Sequence, residues 1–183
     1  WGVKLINYVG KKYKKTLKFL SYVSIVLGYI LMISILILIF QTVYLYLTTP
    51  IAKVIKAPPI VPLIPYFPQI FGLQSFFPPF YFTYWILILA IIAITHEFAH
   101  GIFMKRFGIK IKSTGFGFFP FFLPIFLAAF VEQDEKSMES KKNFKQMAVL
   151  SAGTFANVLT AVLFSVILVL FFMWAFTPSG VVF

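Results

Sequence analysis

Phe80–Phe107 reads FYFTYWILILAIIAITHEFAHGIFMKRF, and this stretch decides the fold. Its first sixteen residues carry no charge. The whole run exceeds the roughly 20 residues that a helix needs to cross the hydrocarbon of a bilayer. Gly108 stands where a helix C-terminus wants a residue free to turn left-handed, and Lys105 and Arg106 fall in the last turn, where the helix dipole favours cations. Inside this apolar helix lies a polar insertion, His96-Glu97-Phe98-Ala99-His100.

His96 and His100 are the only histidines in the chain. Four residues apart on a helix, they lie one turn apart on one face. Two imidazoles at that spacing suit one Zn2+, with the intervening Glu97 in reach of a water on the ion. Zinc lowers the pKa of a bound water from about 15.7 to about 7. Glu97 is then the candidate general base, taking a proton from that water and returning it to a leaving amine. The plainer reading is a pair of histidines and a glutamate that happen to share a helix. It is costly here, because a charge mid-membrane costs about 2.5–3.5 kcal/mol on insertion scales and ionisable residues there default to function. From His96 to Lys105 is nine residues, or roughly 13 Å at 1.5 Å per residue. The metal is therefore expected inside the bilayer, toward the face that carries Lys105.

Outward from this helix the composition agrees. Of 183 residues, 61% are hydrophobic and 11% charged, where soluble domains run nearer half and a quarter. There are no cysteines, which excludes disulfides and thiolate metal sites. The net charge of +11 would suit nucleic acid in a soluble protein. Here the cations cluster at the ends of apolar runs, so membrane orientation explains them and no nucleic-acid partner is expected.

Residues 1–18 hold six lysines and read as a basic cytoplasmic segment; 19–49 is a first transmembrane helix. Residues 50–79 carry eight prolines and so cannot stay helical, yet they are apolar and are expected to lie on or in the membrane. Residues 80–107 form the second helix. Residues 113–131 are uncharged but broken by Gly115, Gly117, Pro120 and Pro124 and rich in phenylalanine, which reads as a re-entrant hairpin buried in protein. Residues 132–145 are a polar cytoplasmic segment holding four of the five acids, and 146–176 is a third transmembrane helix. The expected class is an all-α membrane protein with about three spanning helices and a re-entrant hairpin between the second and third. Lys and Arg number six in the tail, two in the proline-rich loop and eight in 105–145, which puts the N-terminus and 105–145 in the cytoplasm.

On the third helix, Ser151-Ala152-Gly153-Thr154-Phe155-Ala156-Asn157 has small residues that permit close helix packing. Gly153 reads either as a packing residue or, together with Asn157, as part of the substrate-binding and oxyanion face. Asn157 differs, because a buried amide in a membrane helix needs partners. It shares a face with Gly153, from which it would reach a substrate carbonyl or the developing oxyanion beside the metal. The hairpin is either hydrophobic filling or a strand edge that holds an unwound substrate by main-chain hydrogen bonds.

Taken together, Thr95-His96-Glu97-Phe98-Ala99-His100-Gly101, the Gly-Phe-Gly-Phe-Phe-Pro run from Gly115, Phe130-Val131-Glu132 and the Ser151–Asn157 segment resemble the site-2 protease family of intramembrane zinc metalloproteases. The resemblance covers roughly residues 85–176. It implies His96 and His100 as zinc ligands, Glu97 as base, Asn157 as a substrate-orienting residue, and membrane proteins as substrates. It also implies a third ligand, an aspartate in a later helix. No such motif is present, and Asp134 sits among polar neighbours expected in a cytoplasmic loop. Trp1-Gly2-Val3 reads as an internal start. Residues 177–183 resemble the lead-in to a PDZ-like domain, so the chain is expected to continue outside the cytoplasm. Two other readings stand: a non-catalytic metal-binding membrane scaffold of the same fold, and a membrane-anchored protease acting on soluble substrates. Depth in the bilayer argues against the last. Substrate identity and oligomeric state leave no mark in the sequence.

Overall fold

The computed structural model of the chain describes residues 2–48, 81–118 and 127–176. The proline-rich loop, the hairpin tip and residues 177–183 lie outside the described residues. In chain order the elements are α1 (Val3–Lys12), α2 (Lys14–Thr48), α3 (Phe82–Phe107), strands β1 (Ile111–Phe118) and β2 (Leu127–Gln133), the short α4 (Glu135–Glu139) and α5 (Asn143–Ala175).

Helices α2, α3 and α5, of 35, 26 and 33 residues, are each long and apolar enough to cross a membrane. At 1.5 Å per residue α2 and α5 reach roughly 50 Å, beyond the roughly 30 Å of hydrocarbon. The surplus lies at their starts, where Lys14, Lys15 and Lys18 on α2 and Asn143, Lys145 and Gln146 on α5 are polar. The apolar side chains of α2 and α5 are largely exposed, as lipid-facing helices require.

Helix α3 ends as its sequence dictates. Gly108 takes φ 67°, its N–H donates to the Lys105 carbonyl, and the Ile109 N–H donates to the Met104 carbonyl. The chain then enters β1, which pairs antiparallel with β2, Thr114 opposite Val131 and Gly115 opposite Phe130. Gly115 fits because a Cβ there would lie 2.9 Å from the Phe130 ring. Within the 113–131 stretch, residues 113–118 and 127–131 thus pair as antiparallel strands. Asp134 caps α4 by accepting the Ser137 N–H at 2.9 Å.

The packed core sits at the end of the bundle where α3 finishes and α2 and α5 begin. Leu17, Phe103, Met104, Phe107, Val131, Met138, Val149 and Ala152 form one buried cluster. Ser24 and Ser151 join α2 to α5 through their hydroxyls, 2.5 Å apart. Small residues let these helices approach, since a Cβ on Gly28 would lie 3.3 Å from the Ser151 Cβ.

The basic N-terminal segment carries no secondary-structure expectation. Residues 3–12 are helical, and α1 runs beside the last turns of α3. Ile6 is fully buried on Gly101, Gly2 abuts the Phe98 ring, and Gly10 meets Lys105. Lysine is a good helix former whose stem lies along apolar surface, so six lysines do not prevent a helix here.

Candidate metal centre

Helix α3 turns different faces to different neighbours, and the faces sort the motif residues. Gly101, Phe98 and Lys105 meet α1. Glu97 meets β2. His96 and His100 meet α5.

The histidine face is the most constrained. His100 Nδ1 lies 2.7 Å from the carbonyl oxygen of Val149. A carbonyl only accepts, so this nitrogen carries the proton and His100 Nε2 is left with its lone pair. The rings of His96 and His100 stand edge to face, with centroids 4.8 Å apart. Both Nε2 atoms converge on Gly153. A Cβ built on Gly153 would collide with His96 Nε2 and would lie 2.5 Å from both His100 Nε2 and His96 Cδ2. The missing side chain of Gly153 is therefore the notch against which both Nε2 atoms lie.

The donor set fits zinc. The ion takes neutral imidazole nitrogen, and a ligand histidine donates its other N–H to a carbonyl or carboxylate. His100 meets the second condition through Val149. Among the described residues no three His, Cys, Asp or Glu side chains gather at one point, so the histidines would supply only two of the donors that zinc requires. The cap of α4 occupies Asp134 Oδ2.

Glu97, adjacent in sequence, lies on the next face. Its Oε2 accepts the backbone N–H of Val131 at 2.9 Å. Val131 is buried, and this bond turns the outer edge of β2 toward α3. Nothing in the sequence marks the Val131 N–H or the Val149 carbonyl, because every residue carries these groups. Only the approach of β2 and α5 to α3 singles them out.

Asn157 follows Gly153 by one turn of α5. On the same stripe Val149 and Gly153 meet the histidines, and Thr160 Oγ1 lies 3.4 Å from Thr95 Oγ1. Asn157 is thus flanked on both sides by residues that touch α3. Its Oδ1 is buried and has no hydrogen-bond partner among the described residues. An enclosed amide oxygen of this kind costs about 1–3 kcal/mol unless something supplies an N–H.

Three apolar helices of spanning length around a converging histidine pair define an integral membrane protein. The sequence profile of Peptidase family M50 matches residues 84–179, more than half of the chain, and the chain belongs to that family of metalloproteases, as the resemblance to site-2 proteases implied. Over 74 residues the chain is 43% identical to an uncharacterized protein of Methanocaldococcus jannaschii. That match takes in 40% of this chain and 19% of the relative, so the chain spans about a fifth of the relative's length. No solved structure matches the chain.

Proposed function

We propose that this protein is an intramembrane zinc metalloprotease that hydrolyses peptide bonds within transmembrane segments of other membrane proteins, as in regulated intramembrane proteolysis. The observation that carries the proposal is the convergence of His96 and His100 Nε2 on the notch at Gly153, with Glu97 on the adjoining face.

His96 and His100 would hold the zinc. When bound, the ion supplies Lewis acidity toward water and the scissile carbonyl. Glu97 accepts a proton from the attacking water as its oxygen bonds to the carbonyl carbon, then returns it to the nitrogen as the C–N bond breaks. The Val131 N–H holds one carboxylate oxygen and leaves the other for the proton. Asn157 satisfies its buried oxygen with a substrate N–H, and its amide NH2 donates to the substrate carbonyl. A helical substrate must unwind before its carbonyls are exposed, and the β1–β2 hairpin beside Glu97 offers main-chain groups to hold the unwound stretch. The cation count places the N-terminus and residues 105–145 in the cytoplasm.

A non-catalytic metal-binding scaffold of the same fold is the competing reading, favoured by the presence of two donors alone among the described residues. Both are tested in liposomes with the full-length protein and a membrane-embedded substrate. Glu97→Gln keeps an acceptor for the Val131 N–H but cannot take the water's proton. It should retain zinc and lose cleavage. His96→Ala should lose both, and Asn157→Ala should keep zinc and turn over more slowly. Cleavage by Glu97→Gln at the wild-type rate would end the protease reading. A wild type that binds zinc and cleaves no membrane substrate would establish the scaffold.

A further inference from the structure

A concavity lies away from the histidines. It lies where α1 meets the end of α3 and the turn into β1, with a volume of about 710 Å3. Five cations line it: Lys11 and Lys14 from the first two helices, Lys105 and Arg106 from the last turn of α3, and Lys110 from the turn. No acidic side chain lines it. None of the five has an ion-pair partner among the described residues, where the only salt bridge is Lys112–Glu132.

The negative end of the α3 dipole accounts for Lys105 and Arg106. It does not account for Lys11, Lys14 and Lys110, which come from other elements. The packing forces the two sets together. A Cβ on Gly10 would lie 2.9 Å from the Lys105 Cβ, so glycine lets α1 press its cations against those of α3. Arg106 is also held in place, its Nε donating to the Lys14 carbonyl at 2.9 Å, which pins the start of α2 to the end of α3. Its terminal N–H groups take no acceptor among the described residues, and a guanidinium in this state suits a phosphate.

We infer that this groove binds the phosphate of an anionic phospholipid headgroup. Position selects the lipid. Lys14 opens one membrane-spanning helix and Phe107 closes another, so the groove stands at the membrane boundary, at headgroup level. Exposed Val3, Leu5 and Tyr8 on α1 supply apolar surface for the acyl region beside it. The inference is independent of proteolysis and of zinc.

The test uses the protein reconstituted in phosphatidylcholine vesicles doped with spin-labelled phosphatidylglycerol or spin-labelled phosphatidylcholine. The ratio of the two association constants is the selectivity. Wild type should prefer phosphatidylglycerol. Lys11→Gln/Lys14→Gln/Lys110→Gln should lower the preference by up to about five-fold per lysine, the factor matching about 1 kcal/mol for each cation near an anionic surface. Lys4→Gln/Lys12→Gln/Lys15→Gln removes equal charge outside the groove and should change it less than about two-fold. Equal losses in the two triple variants would mean diffuse attraction and overturn the site. Absence of preference in wild type would overturn it too. Displacement of the labelled lipid by inorganic phosphate, with chloride at matched ionic strength inert, would make the ligand a free anion and overturn the lipid assignment.

Discussion

Gly153→Ala places a methyl group at the point where both imidazole Nε2 atoms converge. The new Cβ would overlap His96 Nε2 and lie 2.5 Å from His100 Nε2, where contacts of 3.4 Å and longer are ordinary. About 1 Å of movement is therefore needed. His100 cannot supply it freely, because its Nδ1 is bonded to the Val149 carbonyl on the helix that carries the new methyl. Either α3 and α5 separate or the rings swing out. Overpacking of this kind costs about 1–3 kcal/mol, and zinc–imidazole bonds tolerate little change from about 2.0–2.1 Å. Converted at about 1.4 kcal/mol per decade, zinc affinity should fall between about five- and 150-fold, or be lost if the rings swing out. The assay is competition against a chromophoric chelator, with circular dichroism to confirm retained helix. Thr154→Ala, at the exposed neighbour, is the control and should bind zinc as wild type does. Wild-type zinc affinity in folded Gly153→Ala would refute the convergence of the histidines on this notch.

Further expectations concern the supports around the site. Gly101→Ala sets a methyl 2.7 Å from Ile6 Cδ1 and should loosen α1, seen as faster amide exchange over residues 3–12; adding Ile6→Ala should restore part of the protection, with a coupling of about 0.5–3 kcal/mol, and strictly additive effects would exclude the contact. Ser24→Ala removes one hydroxyl of the α2–α5 pair and should cost only about 0.6 kcal/mol, because Ser151 retains the Ala148 carbonyl at 3.4 Å. Ser24→Leu should wedge the helices apart and lower the melting temperature in detergent far more. Glu132 is held below its ordinary 4.5 by hydrogen bonds from Lys112 and then Ser113, and Lys112 is held above its ordinary 10.5 by the bond to Glu132. The pair's contribution is present between these two values. It is lost as pH falls through the depressed Glu132 pKa or rises through the elevated Lys112 pKa. Lys112→Gln should return Glu132 toward its ordinary value in a carboxyl NMR titration, and an unmoved titration would exclude the pair.

The parts legible in the sequence are those where side-chain type alone decides the outcome. Three uncharged runs became three helices of spanning length, because an apolar chain in lipid must satisfy its own backbone. The i, i+4 histidines share a face wherever a helix forms, and Gly108 ends α3 in the left-handed conformation that its position implied. Glycine and phenylalanine between the second and third spans were enough to expect a hairpin, and β1 and β2 supply it. What escaped was decided by proximity. The lysines of residues 1–18 masked a stripe of Val3, Asn7 and Gly10 at helical spacing, together with Ile6, the residue that seats α1 on Gly101. Ser24 and Ser151 are 127 residues apart, and only the assembled bundle makes them a pair. The groups that orient His100 and Glu97 are backbone atoms, which no choice of residue announces.

The central claim is that His96 and His100 build a zinc centre inside a membrane helix bundle. Zinc K-edge X-ray absorption on the purified full-length protein tests it most directly. Nitrogen and oxygen neighbours at about 2.0–2.1 Å are expected, with outer-shell scattering from two imidazoles, and no bound zinc in His96→Ala. Bound zinc whose shell contains no imidazole, or a wild-type protein that takes up no zinc, would contradict it.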